Sequence, residues 1–228
     1  MRAITPRRPV DLAAEAVRDA ILDGEWAPGE RLPPERELAE TLGISRLTLR
    51  AATSRLTAQG LLQPKQGSGV RVLDWRSTAG IGLLPTLFAR GELTLLAPFL
   101  ELRRAVAIEI AATACTRATA TDLDQLQSHA DALAVEQDLE RLAEGNLAFA
   151  RAVLRLADNL PAELLFNTVA DVYRARPELR QTLLARPDAV RASFPIIVAL
   201  LRTRDPDHVR SVVRVTLEAV DAATLETL

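Results

Sequence analysis

A four-residue turn, Leu42-Gly43-Ile44-Ser45, most constrains the fold, because it passes one helical pattern directly into another. Before it, Pro34 stands where a helix begins, Glu35 lies in the first turn, and Leu38 and Leu42 recur on one face. After it, Ser45 suits the N-cap of a helix from Arg46 to about Ala58, with Leu49, Ala52 and Leu56 inward and Gly60 closing it. Two helices around a short glycine-containing turn form a helix-turn-helix. An earlier helix follows Val10, Ala13, Ala14, Val17 and Ile21 to Gly24, and the proline- and glycine-rich stretch from Trp26 to Pro34 reads as a turn. Beyond Gly60, the β-prone runs Leu61–Lys65 and Val70–Leu73 flank Gln66-Gly-Ser-Gly69, the pattern of a hairpin. The expectation is a winged helix-turn-helix over residues 10–73, three helices plus a β-hairpin wing, behind a flexible arm at 1–9.

The character changes after Trp75. Residues 94–224 contain Gly145 as their only glycine and are rich in Ala, Leu, Arg and Glu. Pro161, Pro177, Pro187 and Pro206 mark boundaries, because proline cannot continue a helix and biases the preceding residue away from it. The spacing predicts helices at about 94–117, 121–135, 138–158, 162–175, 178–185, 188–202 and 206–225, with no strand among them. Aromatic residues make up only 4%, so Leu, Ile, Val and Ala must build the core, which suits packed helices. The predicted class is mainly α: the winged domain, a linker at 74–91, and an all-α bundle over 92–228 that binds an effector and dimerises.

The formal net charge of -2 hides a division. Residues 9–30 set one arginine against six acids, a net of −5, whereas residues 31–71 set seven bases against three acids, a net of +4. A basic stretch covering the helix-turn-helix is the electrostatic footprint expected of a nucleic-acid surface, and an unevenly charged solvated surface is the alternative that composition alone leaves open. The single cysteine, Cys115, excludes an intrachain disulfide, and no histidine stands at a spacing that would activate it as a nucleophile. No Gly-x-Ser-x-Gly, Walker or dinucleotide loop is present, so the chain does not read as an enzyme. The longest uncharged stretch, Ser77–Ala89, is 13 residues and is broken by Pro85, too short for a bilayer. No signal peptide opens the chain, and the expected location is the cytoplasm.

The segment Pro28-Gly-Glu-Arg-Leu-Pro-Pro-Glu-Arg-Glu-Leu-Ala-Glu-Thr-Leu-Gly-Ile-Ser-Arg-Leu-Thr-Leu-Arg50 resembles the signature of the GntR family of bacterial regulators. Arg55-Leu, Gly60-Leu-Leu and Gln66-Gly-Ser-Gly-Val-Arg-Val72 continue it. The helical half resembles the FadR-type subgroup in size and helix number. Asp74-Trp-Arg-Ser-Thr-Ala-Gly-Ile-Gly-Leu-Leu-Pro-Thr-Leu87 is similar to the linker of that subgroup's fatty-acid-responsive branch. The resemblance implies double-stranded DNA as a partner, a palindromic operator and a homodimer. For the effector it implies a long-chain acyl-CoA, with the small organic acids of other relatives as the alternative.

A helix beginning at Arg46 puts its first turn where a recognition helix meets base edges. Arg46 is the candidate base reader, since a guanidinium holds guanine O6 and N7 together. The hydroxyls of Ser45 and Thr48 suit phosphates at a helix N-terminus, and Arg36 and Arg50 add phosphate or base contacts. The alternative for Arg36 is an i,i+4 pair with Glu40; for Ser45 it is a cap alone; Arg55 more naturally meets an acid than a base. The resemblance points to the same set and adds Gln66 and Gly67 at the wing tip, in the minor groove.

In the helical half, many relatives hold a metal with an Asp-x-x-x-His pair and two later histidines. Here those positions carry Asn146 and Ala150, then fall near Phe194 and Thr216, so no metal and no other cofactor is expected. His129 and His208 match none of these positions and read as surface residues. Candidate effector contacts are Phe149, Phe166, Tyr173, Phe194 and Thr216, with Arg103 for a carbonyl or phosphate; core packing is the alternative for each. A different class of function also fits the sequence: a metabolite-binding helical protein that keeps a vestigial DNA domain.

Overall fold

In the first helix, α1 (Pro9–Asp23), Ala13, Ala14, Val17 and Ile21 form one buried stripe, and Gly24 ends it at φ 80, a left-handed value that glycine adopts without cost. The computed structural model describes residues 8–176, 178–179 and 186–227, so all but the end of the expected arm at 1–9 lies outside the described residues. Helix α2 (Glu35–Thr41) buries Leu38 and Ala39. Helix α3 (Arg46–Ala58) buries Leu49, Ala52 and Leu56. The hairpin is β1 (Leu62–Lys65) paired antiparallel with β2 (Gly69–Val72), in the register Leu62↔Val72 to Lys65↔Gly69.

The turn after α1 is stitched to this hairpin. Gly29 N–H donates to Val72 O at 2.8 Å, Leu32 N–H to Val70 O at 2.9 Å, and Val72 N–H to Glu30 O at 2.9 Å. Each of these bonds satisfies a backbone group that the small sheet would leave orphaned. The wing is thereby anchored to the helices instead of hanging from its own strands.

The chain divides into two compact units between Leu83 and Leu84. The segment expected as a linker, 74–91, is largely helical: α4 (Trp75–Thr78), a 3-10 turn at Ile81–Leu83, and α5 (Leu84–Ala89). Its first turn belongs to the winged unit. Thr78 Oγ1 donates to Gly60 O at 2.6 Å and to Asp74 O at 2.9 Å, binding the turn to the residue that ends α3.

The second unit is built on α6 (Leu96–Arg117), which follows a 3-10 turn at Leu93–Leu95 and buries residues on several sides, from Leu96 and Phe99 to Ala114 and Cys115. Around it lie α7 (Ala120–Ala134), α8 (Leu139–Leu156), α9 (Leu160–Ala175), α10 (Pro187–Arg202) and α11 (Pro206–Thr227). Most of the helix expected at 178–185 falls outside the described residues. Every element described in this unit is a helix or helical turn. Helices α6 and α11 run antiparallel. Arg210 meets Glu109 at 3.1 Å, while Arg103 and Arg104 meet Asp221 about three turns further on.

Candidate DNA-binding and effector sites

At the start of α3, Ser45 sits in extended backbone and its Oγ accepts the Thr48 N–H at 3.1 Å, a cap worth about 1 kcal/mol. The two hydroxyls also bond each other, Ser45 Oγ to Thr48 Oγ1 at 2.8 Å. Arg46 is exposed on the turn they fix and forms no ion pair among the described residues. Arg50, one turn on, donates from Nε to Glu35 Oε2 at 2.9 Å, tying α3 to the first turn of α2. Arg36 stands 3.8 Å from Glu40, both largely exposed, an i,i+4 pair of a few tenths of a kcal/mol that leaves the guanidinium available. Arg55 pairs with Asp11 and so joins α3 to α1.

Gln66 and Gly67 occupy the exposed tip of the wing, where Ser68 N–H closes a turn on Lys65 O at 2.9 Å and Gly67 adopts φ 70. Arg31 was not among the candidates, yet its Nη2 donates to Ser68 Oγ at 3.0 Å and braces the wing. These side chains all belong to the first unit. Ser45, Arg46, Thr48 and Arg50 share the start of one helix, Arg36 stands on α2, and the wing tip is a separate outcrop.

The effector candidates divide between two apolar clusters. Phe149 and Phe194 lie in the larger one, their ring centroids 5.0 Å apart, with Phe194 only 1% exposed. Tyr173 lies in the smaller one with Phe88, Phe99 and Leu100. Phe166 packs against both clusters. Thr216 is exposed, and its Oγ1 donates to Val212 O at 2.8 Å.

Arg103 and Arg104 converge on one carboxylate. Asp221, with 5% of its side chain exposed, accepts from Arg103 Nη2 and, at 2.6 Å, from Arg104 Nη1. Arg103 Nη1 also donates to Tyr173 OH at 3.3 Å, while its buried Nε has no hydrogen-bond partner among the described residues. Two guanidiniums on one carboxylate leave one positive charge in excess at a half-buried place beside the smaller cluster. Asp221 and Arg104 escaped sequence reasoning. An acid in an otherwise Val- and Ala-rich helical stretch was the only available signal.

Three of the four positions compared with metal ligands in the sequence do not fit a metal here. Ala150 has no donor atom, the Phe194 ring packs edge-on against Phe149, and the Thr216 hydroxyl is committed to its own helix. His129, expected at the surface, is half-buried with its ring 5.7 Å from Phe149, because α7 turns that residue toward α8. His208 is exposed in the first turn of α11, where its N–H donates to Asp205.

Residues 9–72 match the bacterial regulatory proteins of the gntR family, and residues 99–219 match the FCD domain. The chain belongs to the GntR family. It is 29% identical to the HTH-type transcriptional regulator Mce2R of Mycobacterium tuberculosis, covering 100% of this chain and 96% of that one. It is 30% identical to the fatty acid metabolism regulator protein of Edwardsiella ictaluri, over 80% of this chain and 79% of that one. The solved structure of Lar, described as controlling the agr system of Listeria monocytogenes, covers 99% of both chains with a TM-score of 0.60 at 18% identity. That likeness shows the fold. This GntR protein is therefore a DNA-binding transcription regulator with an FCD effector-binding domain, and its relatives are regulators of transcription, not enzymes. Among the described residues, no helix is long and apolar enough to cross a membrane.

Proposed function

We propose that two copies of this regulator pair through their FCD domains and set the spacing of two α3 helices on a palindromic operator, with a long-chain acyl-CoA as the effector. The observation that carries the DNA half is the capped start of α3. Ser45 and Thr48 fix the turn, and the exposed Arg46 projects from it beside Arg50. Arg46 reads a guanine, Ser45, Thr48, Arg36 and Arg50 hold phosphates or base edges, and Gln66 and Gly67 reach the minor groove. Phosphate contacts of this kind release counterions, so binding falls steeply with salt.

For the effector, the support is twofold. A relative named for fatty acid metabolism shares 30% identity over most of both chains, and Phe194, near one of the expected metal-ligand positions, is an apolar core residue. Phe166, Tyr173 and the aliphatic residues beside them suit an acyl chain, and Arg103 with its surplus charge suits the thioester carbonyl or a phosphate of the coenzyme. An effector that binds one arrangement of the dimer better than the other shifts the population and thereby changes operator affinity.

Mass spectrometry of ligand carried through native purification tests the effector; an acyl-CoA is expected, and a small carboxylate bound with a divalent metal would replace this reading. Salt-dependent binding to a selected two-fold symmetric duplex tests the DNA half and separates a working regulator from a vestigial DNA domain. Arg46→Ala should abolish specific binding without unfolding the protein. An operator affinity within about twofold of wild type would remove Arg46 from its role.

A further inference from the structure

Leu47 stands between Arg46 and Thr48 and is 78% exposed, the highest value for a large apolar side chain among the described residues. At 3.6 residues per turn, Leu47, Ala51 and Ser54 form the ridge opposite the buried Leu49, Ala52 and Leu56, and all three are exposed. Arg46 and Arg50 lie along one side of that ridge. Uncharged side chains on the outermost line of a helix, two of the three here being small, let it sit deep in a groove, while the flanking guanidiniums reach outward to polar edges and phosphates. On the major-groove floor the one apolar group is the C5-methyl of thymine. Leu47 lies outside the buried core of its own domain, so most of its apolar surface remains available for such a contact.

We infer that Leu47 reads a thymine methyl beside the base held by Arg46, making this leucine a specificity-determining residue of the operator. The inference rests on the reading that the start of α3 enters the major groove. It adds a sequence preference that the hydrogen-bonding residues alone do not supply.

The test uses the full-length protein. A duplex is selected from a randomised pool, and each of its thymines is replaced in turn by deoxyuridine, which lacks only the methyl. Wild type should lose about fourfold in affinity at one thymine in each half-site and little elsewhere, the effect of one methyl left unburied. Leu47→Ala should bind the thymine and deoxyuridine duplexes alike while keeping its dependence on the neighbouring guanine. Indifference of wild type to every replacement overturns the inference, and so does an undiminished preference in Leu47→Ala. A change in the oligomeric state of Leu47→Ala by sedimentation would assign the side chain to a contact between copies and overturn it equally. A pool that enriches no sequence at all removes the α3 reading and this inference with it, whereas enrichment of an Arg46-dependent guanine without methyl dependence removes this inference alone.

Discussion

Removing the Asp221 carboxylate should destabilise the protein more than its position near the end of the chain suggests. Its side chain is 5% exposed, and it pairs with both Arg103 and Arg104, whose side chains are 15% and 23% exposed. Asp221→Ala leaves two guanidiniums close together with no carboxylate between them, and deleting one partner of a buried pair costs about 3–5 kcal/mol. Arg104 retains some access to water, which favours the lower end, about 3 kcal/mol. For a protein of this size that corresponds to a fall in Tm of about 6–12 °C, read by far-ultraviolet circular dichroism on the full chain. The triple variant Arg103→Met, Arg104→Met, Asp221→Leu removes the stranded charges and should recover most of the loss, because apolar side chains often replace buried ion pairs at little cost. Inorganic phosphate should raise the Tm of Asp221→Ala more than that of wild type, since an anion that binds only the folded state stabilises it by mass action. A loss below about 1 kcal/mol, with no response to phosphate, would refute the idea that this carboxylate holds surplus charge in check.

Gly60→Ala should weaken the winged domain severely. The residue has φ 76, and an added Cβ would lie 2.3 Å from the Thr78 carbonyl oxygen, so the clash adds to about 1–2 kcal/mol of left-handed strain; an unchanged urea midpoint would contradict it. Ser45→Ala should cost about 1 kcal/mol in urea denaturation through loss of its bond to the Thr48 N–H, and a neutral result would show that the cap is idle. Asp122 accepts bonds from the Thr119 hydroxyl and N–H, which hold its carboxyl below the ordinary 3.8. Its contribution is present above that value and lost as pH falls through the folded pKa. Asp122→Asn should therefore be the less stable protein at neutral pH, with the two Tm curves converging in strong acid.

The elements most legible in the sequence were those written in local chemistry. Gly24, Gly60 and the Ser45 cap end or begin helices for reasons confined to a few residues, and the face of Leu49, Ala52 and Leu56 is a periodicity that one helix carries by itself. The helices within 74–91 were harder to see because they are short and lean on partners elsewhere, such as the Thr78 bond to Gly60, eighteen residues away in sequence. The same contrast runs through the sites. Ser45, Arg46, Thr48 and Arg50 come together because a helix places them so. The Glu35–Arg50 pair and the Arg103–Asp221 pair bridge separate helices, and nothing in either local stretch announces its partner. Phe149 and Tyr173 fall into different clusters because they sit on α8 and α9, which turn their apolar faces to different neighbours.

Arg50 meets Glu35 and Arg55 holds Asp11, so two of the bases that make the winged domain positive already have carboxylate partners. A guanidinium with a resident carboxylate attracts an arbitrary phosphate less than a bare one, which lightens the grip on random duplex. If Arg50 meets the duplex, a sequence that offers it better acceptors than Glu35 would draw it away, so this acid on α2 would favour the operator over random duplex.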